Sequence, residues 1–231
     1  MSQASLSPQD FFDLSQVPFS DFFQTTYVWE LLGKKLKEFF QEMDGWKILG
    51  KVSSQASLES SHIYIGEGTV VEAGAVIKGP VWIGKNCVIR SHAYVREYTL
   101  AMEGALIGHA TETKGSILLP GAQAPHFNYV GDSILGRKVN LGAGTILSNL
   151  KNINEEIHLE IEGTQYSTGL RKFGAILGDG VKTGCNSVLN PGTIVGPNSI
   201  IYPLTSVKKG YYPPNHILKL RQTQEIHPIR S

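Results

Sequence analysis

The sequence predicts an all-β chain wound as a parallel β-helix and preceded by short helices, and three observations carry that expectation. An aliphatic residue returns every six positions, a small or β-branched residue sits fifth in each unit, and Gly, Asn and Asp crowd the positions between. The clearest units read Ile65-Gly66-Glu67-Gly68-Thr69-Val70, Ile83-Gly84-Lys85-Asn86-Cys87-Val88, Leu141-Gly142-Ala143-Gly144-Thr145-Ile146 and Val195-Gly196-Pro197-Asn198-Ser199-Ile200. Self-similarity at a fixed short period is the mark of a solenoid, and a period of six residues is that of a β-helix. An ordinary sandwich spaces its strands and turn clusters more widely, at roughly 8–12 residues, and does not hold so strict a register.

The leading position is filled by Ile65, Val71, Ile77, Ile83, Ile89, Val95, Ala101 and Ile107. It resumes at Leu135, Leu141 and Leu147, and then runs Leu177, Thr183, Leu189, Val195, Ile201 and Val207. Side chains alternate across a strand, so a coil that turns a corner every six residues points each leader inward. The fifth residues, among them Thr69, Ala75, Cys87, Ala93, Thr145 and Ser199, leave room for the corner. Residues at positions two to four tolerate its dihedrals.

Taken from the N-terminus, residues 1–60 form a helical cap and residues 61–231 the β-helix. Ser7-Pro8-Gln9-Asp10 reads as an N-cap with Pro in the first turn, opening a short helix through Phe11, Phe12 and Leu14. A second helix is expected from about Thr26 to Met43, with Val28, Leu31, Leu32, Leu36, Phe39, Phe40 and Met43 on one face and Lys34, Lys35, Lys37 and Glu38 on a solvated face. Both are expected to pack on the first coils or on a neighbouring subunit. The hexads lose register over residues 113–129, around a Pro/Gly loop that carries His126, and break away over 148–176. There Ile157, Leu159 and Ile161 alternate with His158, Glu160 and Glu162 as one strand of a projecting hairpin. Insertions of this kind map to surface loops, often on the working face of a solenoid.

Composition narrows the function. A formal charge of +1 over 231 residues offers no basic stripe for nucleic acid. No apolar run reaches the ~18 residues of a membrane span, and Met1-Ser2-Gln3 opens no signal peptide, so a cytoplasmic protein is expected. Two cysteines fit that compartment, with Cys87 packing as a small hydrophobe and Cys185 nearer a corner.

The stretch His126-Phe127-Asn128-Tyr129-Val130-Gly131-Asp132-Ser133, with Val139-Asn140-Leu141-Gly142-Ala143-Gly144-Thr145-Ile146 and Ser148-Asn149-Leu150, closely resembles the acetyltransferase half of bifunctional N-acetylglucosamine-1-phosphate uridyltransferase/glucosamine-1-phosphate acetyltransferase. The stretch Thr168-Gly169-Leu170-Arg171-Lys172-Phe173-Gly174-Ala175-Ile176-Leu177-Gly178-Asp179 is still more similar to the C-terminal domain of archaeal-type bifunctional sugar-1-phosphate nucleotidylyltransferases. The resemblance covers roughly residues 60–225. It implies a left-handed β-helix, a homotrimer, and acetyl-CoA as cosubstrate bound between subunits, with no metal needed for acyl transfer. It also implies His126 as general base, with Asn149 and Tyr129 positioning the reacting groups. Arg96 and Lys114 are implied on the substrate phosphate and Asn140 elsewhere on the acceptor. On the CoA side the resemblance implies Cys185, where the family has a Ser, and Arg221, while Lys208 offers a further cation for the diphosphate. One family Lys falls on Glu155 here, with Lys151 or Lys172 as possible substitutes, Lys172 being counted with the substrate-binding set. The sixty leading residues are too few for a nucleotide-binding α/β domain and carry no Gly-rich phosphate loop.

These residues support acyl transfer from a thioester to an amine. A His titrates near neutrality and can take the proton of the attacking amine, and a fixed amide can donate to the oxyanion. The guanidinium of Arg96 offers a planar fork to a phosphate. The expected activity is N-acetylation of a hexosamine 1-phosphate, with glucosamine 1-phosphate first. The alternatives are a trimeric β-helix that binds sugar phosphate or CoA without turnover, and an acyltransferase on another amino sugar. A zinc hydro-lyase of the γ-carbonic-anhydrase kind needs a His-x4-His pair that His62, His92, His109 and His126 do not form.

Overall fold

The computed structural model describes residues 5–153 and 155–221. They form a parallel β-helix of three faces, here called A, B and C, with a helical segment before it and one hairpin inserted. Face A is an eight-stranded sheet running from Ile63–Ile65 to Gly210–Tyr212, and face C is another, from Ser57–Leu58 to Ser206–Val207. Face B is continuous through single bridges in which Asn140 joins Gln123 to Lys182. The first coil already begins at Ile48, which bridges to Ile65.

The leaders stack as the spacing requires. Ile65, Ile83 and Ala101 pair in register on face A; Val71, Ile89 and Ile107 on face B; Ile77, Val95 and Thr113 on face C. All are buried in one continuous core, apart from the polar Thr113, which is also fully buried. A fully buried Ile or Leu stabilises by roughly 1.5–3 kcal/mol, against about 0–1 for a surface ion pair. The interior column therefore dominates. The fifth residues do more than leave room: Thr69 Oγ1 donates to the Gly84 carbonyl at 2.7 Å, Ser187 Oγ to Tyr202 O at 3.1 Å, and Cys87 Sγ to Met102 O at 3.0 Å. Buried corner carbonyls of the next coil are satisfied in this way. The left-handed dihedral falls on the fourth position, as at Gly68, Asn86 and Gly104 between faces A and B.

Four expectations are corrected. First, residues 113–129 do not leave the helix. The leaders continue through Leu118, Ala124 and Val130, because the corners at Gly115 and Asp132, between faces C and A, are one residue short. His126 accordingly ends a strand, Gln123–His126, paired with Leu106–His109, rather than lying in a loop. Second, the helix expected over Thr26–Met43 is two pieces, a 3-10 turn at Val28–Leu31 and the α-helix Lys34–Glu42. Gly33 at φ +62° breaks them, and a Cβ there would sit 2.7 Å from Leu170.

Third, the N-terminal segment packs on the first coils as expected, the Phe19 ring 5.3 Å from that of Trp82 and the Phe40 ring 5.9 Å from that of Tyr98, but it does not stop there. It covers face A laterally, reaching Asp179, whose carboxylate accepts from the Asp13 amide at 2.8 Å and whose own amide donates to Phe11 O at 3.0 Å. Fourth, the hairpin (His158–Ile161 with Thr164–Ser167) does not project. Ile157, Leu159 and Ile161 are buried in the same outer core as Phe11, Trp29 and Phe40. The cause is the outward column of face A, which reads Tyr64, Trp82, Leu100, Ile117, Ile134, Ile176, Ile194 and Tyr211 in consecutive register. A sheet apolar on both sides must be covered on both. The short helix is as expected at its start: it spans Pro8–Phe11, and Asp10 Oδ2 accepts from both the amide and the hydroxyl of Ser7.

Candidate functional site

The irregular corner between faces C and A gathers most of the expected substrate residues. Arg96 and Lys114 occupy the position after successive inward leaders on face C, Val95 and Thr113, so the register stacks one cation above the other. The next residue in that column is Gly131, paired with Lys114. A Cβ on Gly131 would lie 2.7 Å from the Tyr129 hydroxyl and 2.8 Å from Asn149 Nδ2, so glycine opens the column where those two side chains meet.

Tyr129 Oη donates to Asn149 Oδ1 at 3.4 Å, and Asn149 Nδ2 donates to Asp132 Oδ2 at 2.5 Å. Asp132 also faces Lys114 Nζ at 3.8 Å. The two bonds fix which end of the Asn149 amide points where: its oxygen toward Tyr129, its NH2 toward Asp132. Burial pushes the Tyr129 phenol above its ordinary value, with the negative charges of Glu112 and Asp132 adding to the shift. Tyr129 is therefore a hydrogen-bond donor at neutral pH. Arg96 donates from Nη1 to Glu112 at 2.9 Å, has Glu97 at 3.7 Å from Nε, and stacks over the Tyr94 ring at 5.7 Å. The Glu112 hydrogen bond raises the guanidinium pKa further. That brace holds the fork in one orientation.

A cavity of about 200 Å3 opens at this corner, lined by Arg96, Glu97, Tyr98, Lys114, Gly115, Asp132 and Lys172 together with Gly33, Leu36 and Lys37 of the N-terminal segment. Lys172 arrives there because the insertion closes its own neck beside Asn149: Leu150 bridges to Lys172, and the Phe173 amide donates to Asn149 O at 3.0 Å. Lys151 goes elsewhere. Its Nζ donates to Glu156 O at 2.9 Å and faces Glu155 at 3.7 Å, in a separate cavity of about 630 Å3 that also contains Lys208.

The remaining residues stand apart. His126 lies at the corner between faces B and C, exposed, one step above His109 in the register. Strand Tyr129–Gly131 separates it from Asp132 and Asn149 at the far end of face C. Its backbone is fixed, the amide donating to Asn128 Oδ1 at 3.0 Å and the carbonyl accepting from Gly144 at 3.0 Å. Asn128 is in turn buried and donates to Gly142 O at 2.8 Å. Asn140 sits on face B, exposed Cys185 follows the inward Thr183 on that face, and exposed Arg221 closes the described chain. A single chain thus collects Arg96, Lys114, Lys172, Tyr129 and Asn149, and leaves His126, Asn140, Cys185, Lys208 and Arg221 outside that cluster.

The residues that sequence reasoning missed are the acids. Asp132 and Glu112 orient Asn149, Lys114 and Arg96, yet an Asp in a Gly-Asp-Ser run reads as an ordinary turn. The available signal was the missing residue in its hexad, which places Asp132 at a left-handed corner with φ +44°, where Asp is better tolerated than most residues.

The chain is similar in sequence to known proteins. Residues 62–97 match the family model for bacterial transferase hexapeptide (six repeats). The chain is 48% identical over 109 residues to a bifunctional protein GlmU of Methanococcus vannielii, covering 47% of this chain and 26% of that protein. It is 38% identical over 141 residues to a bifunctional sugar-1-phosphate nucleotidylyltransferase/acetyltransferase of Sulfurisphaera tokodaii, covering 61% of this chain and 35% of that protein. The chain thus spans well under half the length of these relatives. The Arabidopsis UDP-N-acetylglucosamine acyltransferase structure aligns over 71% of this chain and 69% of its own with 15% identity and a TM-score of 0.40, which adds nothing to the reading.

Proposed function

We propose that this chain is an acetyl-CoA-dependent N-acetyltransferase acting on a hexosamine 1-phosphate, glucosamine 1-phosphate first, and that it works as a homotrimer. The observation that carries the reading is the cavity in which Arg96, Lys114 and Lys172 converge beside the Tyr129–Asn149 pair. It offers a phosphate subsite within one coil of an oriented amide. The resemblance to sugar-phosphate acetyltransferases supports the same chemistry.

In this reading His126 takes a proton from the acceptor amine as the nitrogen attacks the thioester carbonyl. The C–N bond forms, the carbonyl oxygen becomes an oxyanion, and its collapse breaks the C–S bond. The CoA thiolate leaves and is protonated. Tyr129, held protonated, and Asn149 hold the reacting groups while Arg96 and Lys114 hold the phosphate. Asn140 contacts the acceptor from the neighbouring face; Cys185, Lys208 and Arg221 serve the CoA side. His126 and Asn149 stand at opposite ends of face C, so one chain gives only half of a closed cleft. A neighbouring copy completes it, as expected of small-molecule sites at interfaces.

Thiol release from acetyl-CoA, followed across amino sugars with and without a 1-phosphate, tests the proposal. Turnover with the 1-phosphate and little with the free sugar is expected; no release with any amino sugar sinks the reading.

A further inference from the structure

We infer that the α-helix Lys34–Glu42 forms a wall of the phosphate cavity and that Lys37 on it selects a terminal phosphate monoester over a nucleotide diphosphate. The inference rests on the proposed sugar-phosphate activity and extends it to a segment read from sequence as a solvated face.

Gly33, Leu36 and Lys37 line the same 200 Å3 cavity as Arg96, Lys114 and Lys172. The helix is held there by Leu36 and Phe40, 1% and 3% exposed. The Lys37 ammonium rests 5.8 Å from the centre of the Tyr98 ring, itself part of the cavity wall. Its neighbour Lys34 pairs with Glu38 at 3.5 Å, but among the described residues no carboxylate comes within ion-pair distance of Lys37 or Lys172. Arg96 is offset by Glu112 and Glu97, and Lys114 by Asp132. Within the cavity lining itself, Arg96, Lys114, Lys172 and Lys37 face only two carboxylates, Glu97 and Asp132, while Glu112 stands behind Arg96 outside the lining, so the wall carries a surplus of two positive charges. Two unbalanced cations match a phosphate monoester, which approaches two negative charges at neutral pH because its second pKa is about 6. A phosphodiester keeps one negative charge per phosphate. The cavity is also smaller than the roughly 300–1,000 Å3 of sites that enclose drug-sized ligands. A space of that size holds a phosphate and the near edge of a sugar but does not enclose a diphosphate with its nucleoside.

The test uses the full chain and compares Lys37→Ala, Lys37→Arg and Lys34→Ala, with glucosamine 1-phosphate as acceptor and inorganic phosphate as a competitive inhibitor. Lys37→Ala should raise KM for the acceptor by roughly tenfold or more, the loss of one charge-assisted contact. It should weaken phosphate inhibition by a similar factor and leave kcat and the acetyl-CoA KM near wild type. Lys37→Arg should restore most of the affinity, and Lys34→Ala should change nothing. An acceptor KM unmoved by Lys37→Ala while Arg96→Ala raises it overturns this inference and leaves the proposed activity standing. Phosphate inhibition unmoved by either Lys37→Ala or Arg96→Ala removes the phosphate subsite itself.

Discussion

The corner between faces A and B and the corner between faces C and A are built from the same hexad, yet they have opposite characters. At the first, each coil from Ile65 onward keeps six residues and places Gly, Asn or Lys in the left-handed region: Gly68, Asn86, Gly104, Gly121, Lys138, Gly180, Asn198 and Asn215. The side chain of Asn86 lies over Gly68 so closely that a Cβ on the glycine would stand 2.2 Å from its Oδ1. At the second, coils lose a residue at Gly115 and Asp132, and the 148–176 insertion departs. Arg96, Lys114, Asp132, Asn149 and Lys172 all lie there. Uniform corners stack and stabilise; the corner that breaks the repeat frees side chains from packing and lets distant segments approach.

The largest expected effect tests the chemistry directly. His126→Ala should lower kcat by about two to four orders of magnitude, the scale of a lost general base, with sedimentation showing an unchanged assembly. Loss of assembly would mark His126 as structural instead.

Matched glycine substitutions separate the two corners. Gly68→Ala, at φ +74° under the Asn86 side chain, should cost on the order of 1–3 kcal/mol in denaturant unfolding and leave kinetic constants alone. Gly115→Ala, at φ +55°, would place a Cβ 2.7 Å from Asp132 Oδ1. Moving that carboxylate disturbs Asn149 and Lys114 together, so the acceptor KM should rise by roughly tenfold. Equal kinetic damage from both variants would erase the distinction.

A pH-dependent effect, absent near neutrality, belongs to the regular corner. Burial of Cys87 pushes its thiol from 9.0 up to about 11. The folded state therefore favours the protonated thiol: the stabilisation is fully present below pH 9 and is lost as pH rises toward 11. Unfolding free energy should fall by up to about 2–3 kcal/mol across that window, and Cys87→Ala should flatten the dependence. Near neutral pH a thiol reagent should label exposed Cys185 alone in the native protein and both cysteines once it is unfolded.

Much of the fold was legible because alternation along a strand is a local rule. The inward leaders from Ile65 to Val207, the alternating strand at Ile157–Ile161 and the capped turn at Ser7 each follow from near neighbours in sequence. The outward column from Tyr64 to Tyr211 was equally present, as doubled aliphatics such as Ile117-Leu118 and Ile134-Leu135, but the eye follows one residue per hexad and passes over its partner. At the site, His126, Tyr129, Asn149, Arg96 and Lys114 were named through resemblance. Asp132 and Lys37 were not, because neither belongs to a chemical motif until the corner shortens and the N-terminal segment folds over it.

The sequence by itself determined a three-faced coil with an aliphatic interior, since period and polarity fix which way each side chain points. Only the tertiary structure decided what covers face A, and therefore which cations share one cavity. That outcome depends on residues 5–43 and 155–173 burying their apolar faces against the same sheet, a contact between segments far apart in the chain that no local pattern encodes.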